Sequence, residues 1–392
     1  MERASLAGGR AGLAVFYAYL AIARRSKSDR SAAFRFLDQA RVALGSVTMP
    51  PSLHSGFTGV AWAMEHLERR LGASDGDEAR AAVDDALLDL LGRSPWRHDY
   101  DLMNGLVGFG VYALERLPRR AAAACLRRVV DRLEETAERG PRGTSWLTRP
   151  ELLSPTQLAQ VPHGYYNLGL AHGVPAVIAL LGSAYAAGVA RRKARALLGG
   201  AVAWLDAQRL PAGAGSVFPV MVQPGVAPPA SRPGWCYGDT GIAAALLLAA
   251  RCVGQPAWER RALDIALRAA ERPPEECGVV DACLCHGAAG IGHLFNRMFQ
   301  ATGEERLGEA ARRWLGRALE LRRPGRAIAG FPTRDRGGDG AMTWVAEPGL
   351  LTGAAGVALA LLAATTPIEP SWDRMLLVNV SAPVADGRPQ QP

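Results

Sequence analysis

The sequence has few cysteines, almost no lysine and no long uninterrupted apolar run. Six cysteines in 392 residues are too sparse for a disulfide scaffold, so we expect reduced thiols and a cytoplasmic protein. No apolar run is long enough to cross a bilayer, so we expect no membrane span. The apolar N-terminal stretch ends in Arg24 and Arg25 instead of a small-residue cleavage site, which argues against a secretory signal.

The basic residues are not clustered as nucleic-acid binding requires. The formal net charge is +8, but only Lys27 and Lys193 are lysines, and the arginines lie singly or in pairs among acids on predicted helical faces. No basic stripe with interleaved aromatic residues occurs, so we expect no nucleic-acid partner. The arginine excess is typical of a genomic base-composition bias, and an acidic partner remains an alternative.

No linker rich in Ser, Gly or Pro and no block of like charge divides the chain. A single domain over residues 1–392 is therefore expected, although its length would accommodate two or three ordinary domains. The loop-rich region at about residues 141–166 predicts a small insertion that covers the functional site. Residues 381–392 are expected to form a flexible tail.

One glycine-containing sequence motif recurs seven times along the chain. Its first glycines are Gly9, Gly56, Gly105, Gly173, Gly238, Gly287 and Gly353. In six copies a second glycine follows three residues later, and in the fourth copy that position is Ala176. About ten apolar residues follow each copy, which is typical of a buried helix, and amphipathic helical segments lie between the copies.

This repeat predicts an all-α fold, an α/α toroid of about seven helical hairpins. Inner helices that are apolar all round are best buried in a closed ring. The glycines would permit positive-φ turns and close backbone approach where the helix starts crowd together. Because the chain begins almost at the first copy, we expect the outer partner of the first inner helix to be missing, or supplied by the segment around residues 371–380.

In such a ring all inner helices begin on one face, so the side chains just before each G-x-x-G line a common site. The polar residues there are Arg10, His54, Ser55, Asp101, Asn104, His172, Arg232, Cys236, Tyr237, Asp239, Cys285, His286 and Thr352. Copies three to six carry the reactive groups, which indicates one site and not seven equal ones.

Two thiols and an imidazole at these positions predict a zinc site. Cys236, Cys285 and His286 are a ligand set that zinc (Zn2+) prefers, and three protein ligands leave a fourth position open, as in catalytic zinc sites. The alternative is that the two cysteines are core residues. The other four cysteines and three further histidines are expected to be structural: Cys125, Cys252, Cys277, Cys283, His54, His163 and His293.

The neighbouring helix starts supply candidate catalytic groups. His172 is a candidate acid or base, and Asp101 could orient its ring or hold its proton. The alternatives are a structural histidine and a helix N-cap aspartate. Arg232 could stabilise a carbonyl oxygen that becomes negative during a reaction, or it is a solvated loop charge.

The seven repeats, together with "NLGLAHGVP", "GWCYGDTG" and "CHGAAG", resemble the lanthionine synthetase C-like cyclase family. The resemblance implies a toroid with a central zinc, and an enzyme that adds peptide cysteine thiols to dehydroalanine or dehydrobutyrine. This Michael-type addition closes thioether rings in a dehydrated precursor peptide. A separate dehydratase is implied as a partner, and an exporter is a further expected partner.

The resemblance also implies roles for particular residues. It makes His172 and Asp101 the acid/base pair, with assistance from Arg232 and Tyr237, and it makes Cys236, Cys285 and His286 the zinc ligands. Two related functions stay open on the residues alone, namely addition of glutathione or another small thiol to dehydroamino acids, and a non-catalytic peptide-binding scaffold. A toroidal glycosidase or terpene cyclase would need paired carboxylates or acidic clusters, which the convergent positions lack.

Overall fold

The computed structural model describes residues 4–72, 77–336 and 341–380, so the tail predicted at 381–392 lies outside the described residues. Each copy of the repeat leads into an inner helix: α1 (Arg10–Arg24), α3 (Phe57–Leu71), α5 (Leu106–Arg116), α8 (Val174–Ala186), α10 (Asp239–Val253), α12 (Ala288–Thr302) and α14 (Ala354–Thr365). The outer helices are α2 (Lys27–Ser46), α4 (Glu78–Gly92), α6 (Arg120–Thr136), α9 (Arg191–Asp206), α11 (Pro256–Ala270) and α13 (Glu305–Glu320).

The inner helices form a closed ring. Each packs on the next in repeat order, and α14 packs on α1. Helix α10 is buried without a break from Asp239 to Ala250, whereas α13 buries one stripe that includes Leu307, Trp314 and Ala318. This difference in burial separates inner from outer helices and confirms the predicted α/α toroid.

The loops before the inner helices are joined edge to edge by backbone hydrogen bonds. Each bond involves a residue two or three positions before the first glycine: Ala7 N to His54 O, Leu102 N to Ala171 O, Ala171 N to Cys236 O, Cys236 N to Cys285 O, Cys285 N to Leu351 O, and Leu351 N to Ala7 O. They link copies one and two, copies three to seven in order, and copy seven back to copy one. Equivalent repeat positions therefore face one another around a common centre.

The second glycine of the repeat is required by the loop that folds back over the first helical turn. A Cβ on Gly59 or Gly290 would overlap the carbonyl oxygen of Leu53 or Leu284, six residues earlier in each case. The predicted close backbone approach is therefore confirmed. The predicted positive-φ turns are wrong for most copies, because among the seven first glycines only Gly238 has a positive φ, of 104°.

The expectation about the first outer helix is also wrong. Helix α2 packs directly on α1, and among the described residues it is α14 that no outer helix follows. The segment around residues 371–380 lies inside the ring, where Trp372 stacks on His293 of α12 with ring centroids 4.7 Å apart. It fills the interior because it is largely apolar, whereas an outer helix needs an exposed polar face.

One carboxylate in this central segment is completely buried. Asp373 has an exposed fraction of 0%, and it lies 2.9 Å from Nε of Arg297 and 3.2 Å from Nε2 of His293. Three residues later the carbonyl of Leu376 accepts a 3.0 Å hydrogen bond from Nε1 of Trp235, the neighbour of Cys236. The central segment therefore supports the loop that carries one of the two candidate thiol ligands.

We expect the Asp373→Ala variant to lower the free energy of unfolding by about 3 kcal/mol, because it leaves the buried Arg297 guanidinium with only Glu369, a carboxylate that is itself 59% exposed. Urea unfolding measures the change. The adjacent Arg374→Ala variant is the control, since this side chain is 49% exposed and its ion pair with Glu115 spans 3.7 Å, so a loss below about 1 kcal/mol is expected. Equal losses for both variants would contradict the account.

Short strands lie between some of the helices. β1 (Glu138–Gly140) and β2 (Gly143–Ser145) form a hairpin, and β3 (Leu147–Thr148), β4 (Tyr165–Asn167) and β5 (Met221–Val222) form an antiparallel sheet in the order β3-β4-β5. The short helix α7 (Pro155–Gln160) lies between β3 and β4, within the region of the predicted insertion. A second hairpin, β6 (Thr333–Arg336) and β7 (Met342–Val345), precedes α14. None of the described helices is long and apolar enough to cross a membrane.

Candidate metal and catalytic site

The two predicted thiols and the predicted imidazole come together at the start of α10 and α12. The sulfur atoms of Cys236 and Cys285 and a ring nitrogen of His286 all lie within 4.8 Å of one another. Both cysteines stand two residues before the first glycine of their copies, and the backbone bond from Cys236 N to Cys285 O, 3.2 Å long, holds the two loops side by side. The repeat therefore brings together ligands that are 49 residues apart in sequence.

The charges in this cluster are arranged for a cation. A hydrogen bond from Cys285 lowers the pKa of Cys236 well below its usual range despite burial, with help from His286 and Arg232. Cys285 is the donor, so its own pKa is raised. Burial lowers the pKa of His286, but hydrogen bonds with Asp281, Cys236 and Cys283 outweigh this and raise it to about 12. Zinc would take the place of the protons that Cys285 and His286 otherwise hold, and two thiolates with one neutral imidazole are a donor set that fits zinc.

A second group of possible metal ligands also contains His286. Asp281, Cys283 and His286 also place one ligand atom each within 4.8 Å of the others. The Asp281 carboxylate lies 3.7 Å from Nε2 of His286, and it already accepts hydrogen bonds from the backbone N–H of Cys283 (3.2 Å) and of Arg334 (3.3 Å). Because those backbone donors fix its position, Asp281 is suited to orient the imidazole, as carboxylates do behind metal-bound histidines.

His172 and Asp101 form a direct pair on the neighbouring loops. Nδ1 of His172 is 2.6 Å from Oδ2 of Asp101, while Oδ1 accepts a 2.7 Å hydrogen bond from the backbone N–H of Asn104. Asp101 therefore fixes the turn before α5 and holds the imidazole of His172, but it is not a helix N-cap, because the N-cap of α5 is Gly105. Burial lowers the pKa of His172, but the hydrogen bond and the charge of Asp101 outweigh it, so the pKa is raised. The His172 side chain is 37% exposed and so is accessible to a substrate.

Tyr237 packs beside this pair. Its ring lies 6.2 Å from that of His172 at an angle of 28°, and its hydroxyl oxygen accepts a 3.1 Å hydrogen bond from the Asn167 amide. Burial raises the pKa of Tyr237 to about 12, so the phenol stays protonated at neutral pH. Because the oxygen accepts from Asn167, its own proton remains available to a second acceptor.

Arg232 lies at the exposed edge of the cluster, four residues before Cys236. Its positive charge contributes to lowering the pKa of Cys236 and acts in the same direction on Cys285. Within the part of the chain that the structure describes, no carboxylate pairs with its guanidinium. The side chain is therefore free to meet an anionic group that approaches the two thiols.

The sequence profile of the family described as "Lanthionine synthetase C-like protein" matches residues 1–377, nearly the whole chain. The chain belongs to the lanthionine synthetase C-like family. The solved structure of nisin cyclase superposes with a TM-score of 0.77 at 18% sequence identity, over 96% of this chain and 92% of that one. At this identity the likeness shows the shared toroidal fold. Among curated protein sequences, none matches this chain.

Not every polar residue at a helix start of this lanthionine synthetase C-like chain joins the cluster. Asp239 accepts hydrogen bonds from the backbone N–H groups of Val217 (2.8 Å) and Phe218 (3.0 Å), so it fixes the preceding loop. His54 is buried beside Trp235, with ring centroids 5.9 Å apart, and burial lowers its pKa to about 4. It is therefore neutral at physiological pH.

Two residues that support the site were missed in the sequence. Asp281 stands five positions before His286, within "DACLCH", and Asn167 begins the phrase "NLGLAHGVP". Neither lies directly before a G-x-x-G, so the repeat pattern did not select them. For Asp281 the available signal was the run of polar and thiol residues in "DACLCH".

Proposed function

We propose that this chain is a zinc-dependent lanthipeptide cyclase. It would add cysteine thiols of a dehydrated precursor peptide to dehydroalanine or dehydrobutyrine and so form lanthionine and methyllanthionine rings. The observation that carries the proposal is the meeting of two thiols and an imidazole from two repeats beside a hydrogen-bonded His–Asp pair. Family membership and the toroidal fold support it.

In this proposal Cys236, Cys285 and His286 hold the zinc ion, and Asp281 orients the imidazole of His286. When bound there, zinc supplies Lewis acidity that lowers the pKa of a substrate thiol, so that thiolate is present at neutral pH. Arg232 adds positive charge at the edge of the same site, which favours the anionic form of an incoming thiol.

The His172–Asp101 pair would carry out the second half of the reaction. The substrate sulfur bonds to the β-carbon of the dehydroamino acid, the C=C π bond breaks, and its electron pair moves to the carbonyl oxygen to give an enolate. His172, kept protonated by Asp101, then donates a proton to the α-carbon. The thiol proton released at the start balances this proton, so the product is an isomer of the substrate.

Arg232 and Tyr237 would stabilise the enolate oxygen. The guanidinium has no carboxylate partner among residues 4–72, 77–336 and 341–380, and the phenol is neutral with its proton available. Preorganised donors of this kind stabilise developing negative charge more effectively than water does. Because the proposed reaction uses residues that are already dehydrated, a dehydratase must supply the substrate. An exporter is a further candidate partner.

The direct test is to incubate the zinc-loaded protein with a dehydrated peptide that carries free cysteines. The expected result is loss of alkylatable thiols without any change in peptide mass, because ring closure is an isomerisation. The same reaction with added glutathione tests the related function, since a glutathione adduct raises the peptide mass. Thiols that disappear no faster than in buffer would rule out the cyclase.

The Asp101→Asn variant tests the acid role of His172 through its pH dependence. Because the Asp101 carboxylate raises the pKa of His172, the protonated form persists to higher pH, and activity that needs it falls as pH rises through that pKa. Removing the carboxylate should move this fall to lower pH and reduce kcat by roughly tenfold or more. A pH profile of kcat measures the shift.

The matched control is Asp99→Asn, which removes a carboxyl group two residues away that acts on His172 through charge alone. Its shift in the kcat profile should be the smaller of the two. An Asp101→Asn profile that coincides with the wild-type profile would contradict an acid role for His172.

A further inference from the structure

A groove of about 430 Å³ lies directly beside the zinc-ligand cluster. Its walls come from the loop before α12 (Val280 and Asp281), from the turn after α13 (Arg323 and Arg326) and from strand β7 (Trp344). Apart from Asp281, none of its lining residues has a role in the proposed ring closure. Its chemistry is therefore a separate question.

One side of the groove is apolar and open to solvent. Trp344 is 56% exposed and Val280 is 39% exposed. Met342, two residues before Trp344 on the same strand, lies on the same face of β7 and is also exposed. Adjacent exposed large apolar side chains of this kind mark a binding surface more often than single ones do.

The other side of the groove is basic. Arg323 and Arg326 have no acidic partner in the described part of the chain, and they follow α13 in a turn where the N–H of Arg326 bonds to the carbonyl of Arg323 (3.0 Å). Among the described lining residues the one carboxylate is Asp281, which is 1% exposed and accepts hydrogen bonds from two backbone N–H groups. It therefore does not neutralise the two guanidinium groups for an incoming ligand.

The groove connects to the reacting centre through one residue. Oδ2 of Asp281 lies 3.7 Å from Nε2 of His286, and the same oxygen accepts the backbone N–H of Arg334 on β6. This hydrogen bond joins strand β6 to the loop that carries Asp281 and His286. A peptide seated between Trp344 and the two arginines would therefore lie next to the loop that carries Asp281 and His286.

We propose that this groove binds an acidic segment of the substrate peptide, one that carries carboxylates together with at least one large apolar side chain. The proposal rests on the function proposed above. Two unpaired cations match the carboxylates, and the exposed Trp344 ring matches the apolar side chain. The groove would also be the binding site of the acidic partner that is one explanation of the net charge of +8.

Fluorescence anisotropy tests the proposal without any turnover. The probe is a labelled synthetic 12-residue peptide that contains Asp, Leu and Phe, and its counterpart carries Lys in place of Asp. The wild-type protein should prefer the Asp peptide. The double variant Arg323→Gln/Arg326→Gln should bind that peptide about tenfold more weakly, as should Trp344→Ala, because several modest contacts are lost together.

A charge-reversal variant distinguishes loss of the binding site from loss of the fold. The Arg323→Glu/Arg326→Glu variant should switch its preference to the Lys peptide, which a misfolded protein would not do. The matched control, Arg127→Gln/Arg128→Gln on the exposed face of α6, should bind as wild type does. Equal binding of both peptides by the wild type, unchanged binding by the groove variants, or an RNA oligonucleotide that displaces the peptide would each overturn the proposal.

The outcomes separate this proposal from the proposed function. If the groove variants lose the Asp peptide while the wild type fails to close rings in a dehydrated peptide, the groove is an acidic-peptide site and the cyclase proposal fails. If rings close but the groove variants bind and cyclise an acidic substrate with unchanged KM, the groove proposal fails and the cyclase stands.

Discussion

Replacing Cys285 by alanine should remove bound zinc and lower the rate of ring closure by about a thousandfold or more. The variant deletes one of two thiol donors, and a site with one thiol and one imidazole holds zinc far more weakly. Without zinc, a substrate thiol keeps its ordinary pKa, and the rate loses several kcal/mol of stabilisation. Metal analysis after dialysis, together with the thiol-loss assay, measures both effects.

Cys283→Ala is the matched control for this variant. Cys283 is buried two residues earlier and belongs to the second group, with Asp281 and the shared His286. If zinc lies between Cys236, Cys285 and His286, the Cys283→Ala protein retains it. Zinc retained by Cys285→Ala but lost from Cys283→Ala would place the ion in the second group instead.

The second large effect is expected for His172→Asn. The amide is close in size to the imidazole and can still bond to Asp101, but it cannot donate a proton to a carbon. We therefore expect zinc content to be unchanged and kcat to fall by roughly 10²–10⁴, which is the usual contribution of a positioned general acid. Single-turnover assays with the zinc-loaded variant measure the loss.

The exposed His163 provides the comparison, because His163→Asn makes the same substitution in a side chain that belongs to neither of the two candidate metal-binding groups. That variant should react at the wild-type rate. If His172→Asn keeps its zinc and loses less than tenfold in kcat, proton donation to the α-carbon comes from another group.

The fold was predictable because one local rule repeats. Each second glycine admits the carbonyl six residues before it, and a mostly apolar run follows each copy of the motif, so copy number and expected burial together imply a closed ring. The central segment was not predictable in the same way. Trp372 and Asp373 find their partners, His293 and Arg297, about 80 residues earlier in sequence, and no local pattern encodes that pairing.

The same reasoning explains what was and was not foreseen at the site. Cys236 and Cys285 share a repeat position, so repeat symmetry alone brings them together. Asp281 and Asn167 lie outside that position and support the site through individual side-chain contacts. Asp239 shares a helix start but turns to the backbone of the preceding loop, since two N–H groups there need an acceptor.

The most direct measurement is X-ray absorption at the zinc edge of the loaded protein, before and after a thiol-containing dehydrated peptide is added. We predict two sulfur neighbours at about 2.3 Å together with an imidazole nitrogen, and a third sulfur once the peptide binds. A shell with one sulfur and a carboxylate oxygen, or a sulfur count that the peptide leaves unchanged, would contradict a zinc site built from Cys236, Cys285 and His286 to activate a substrate thiol.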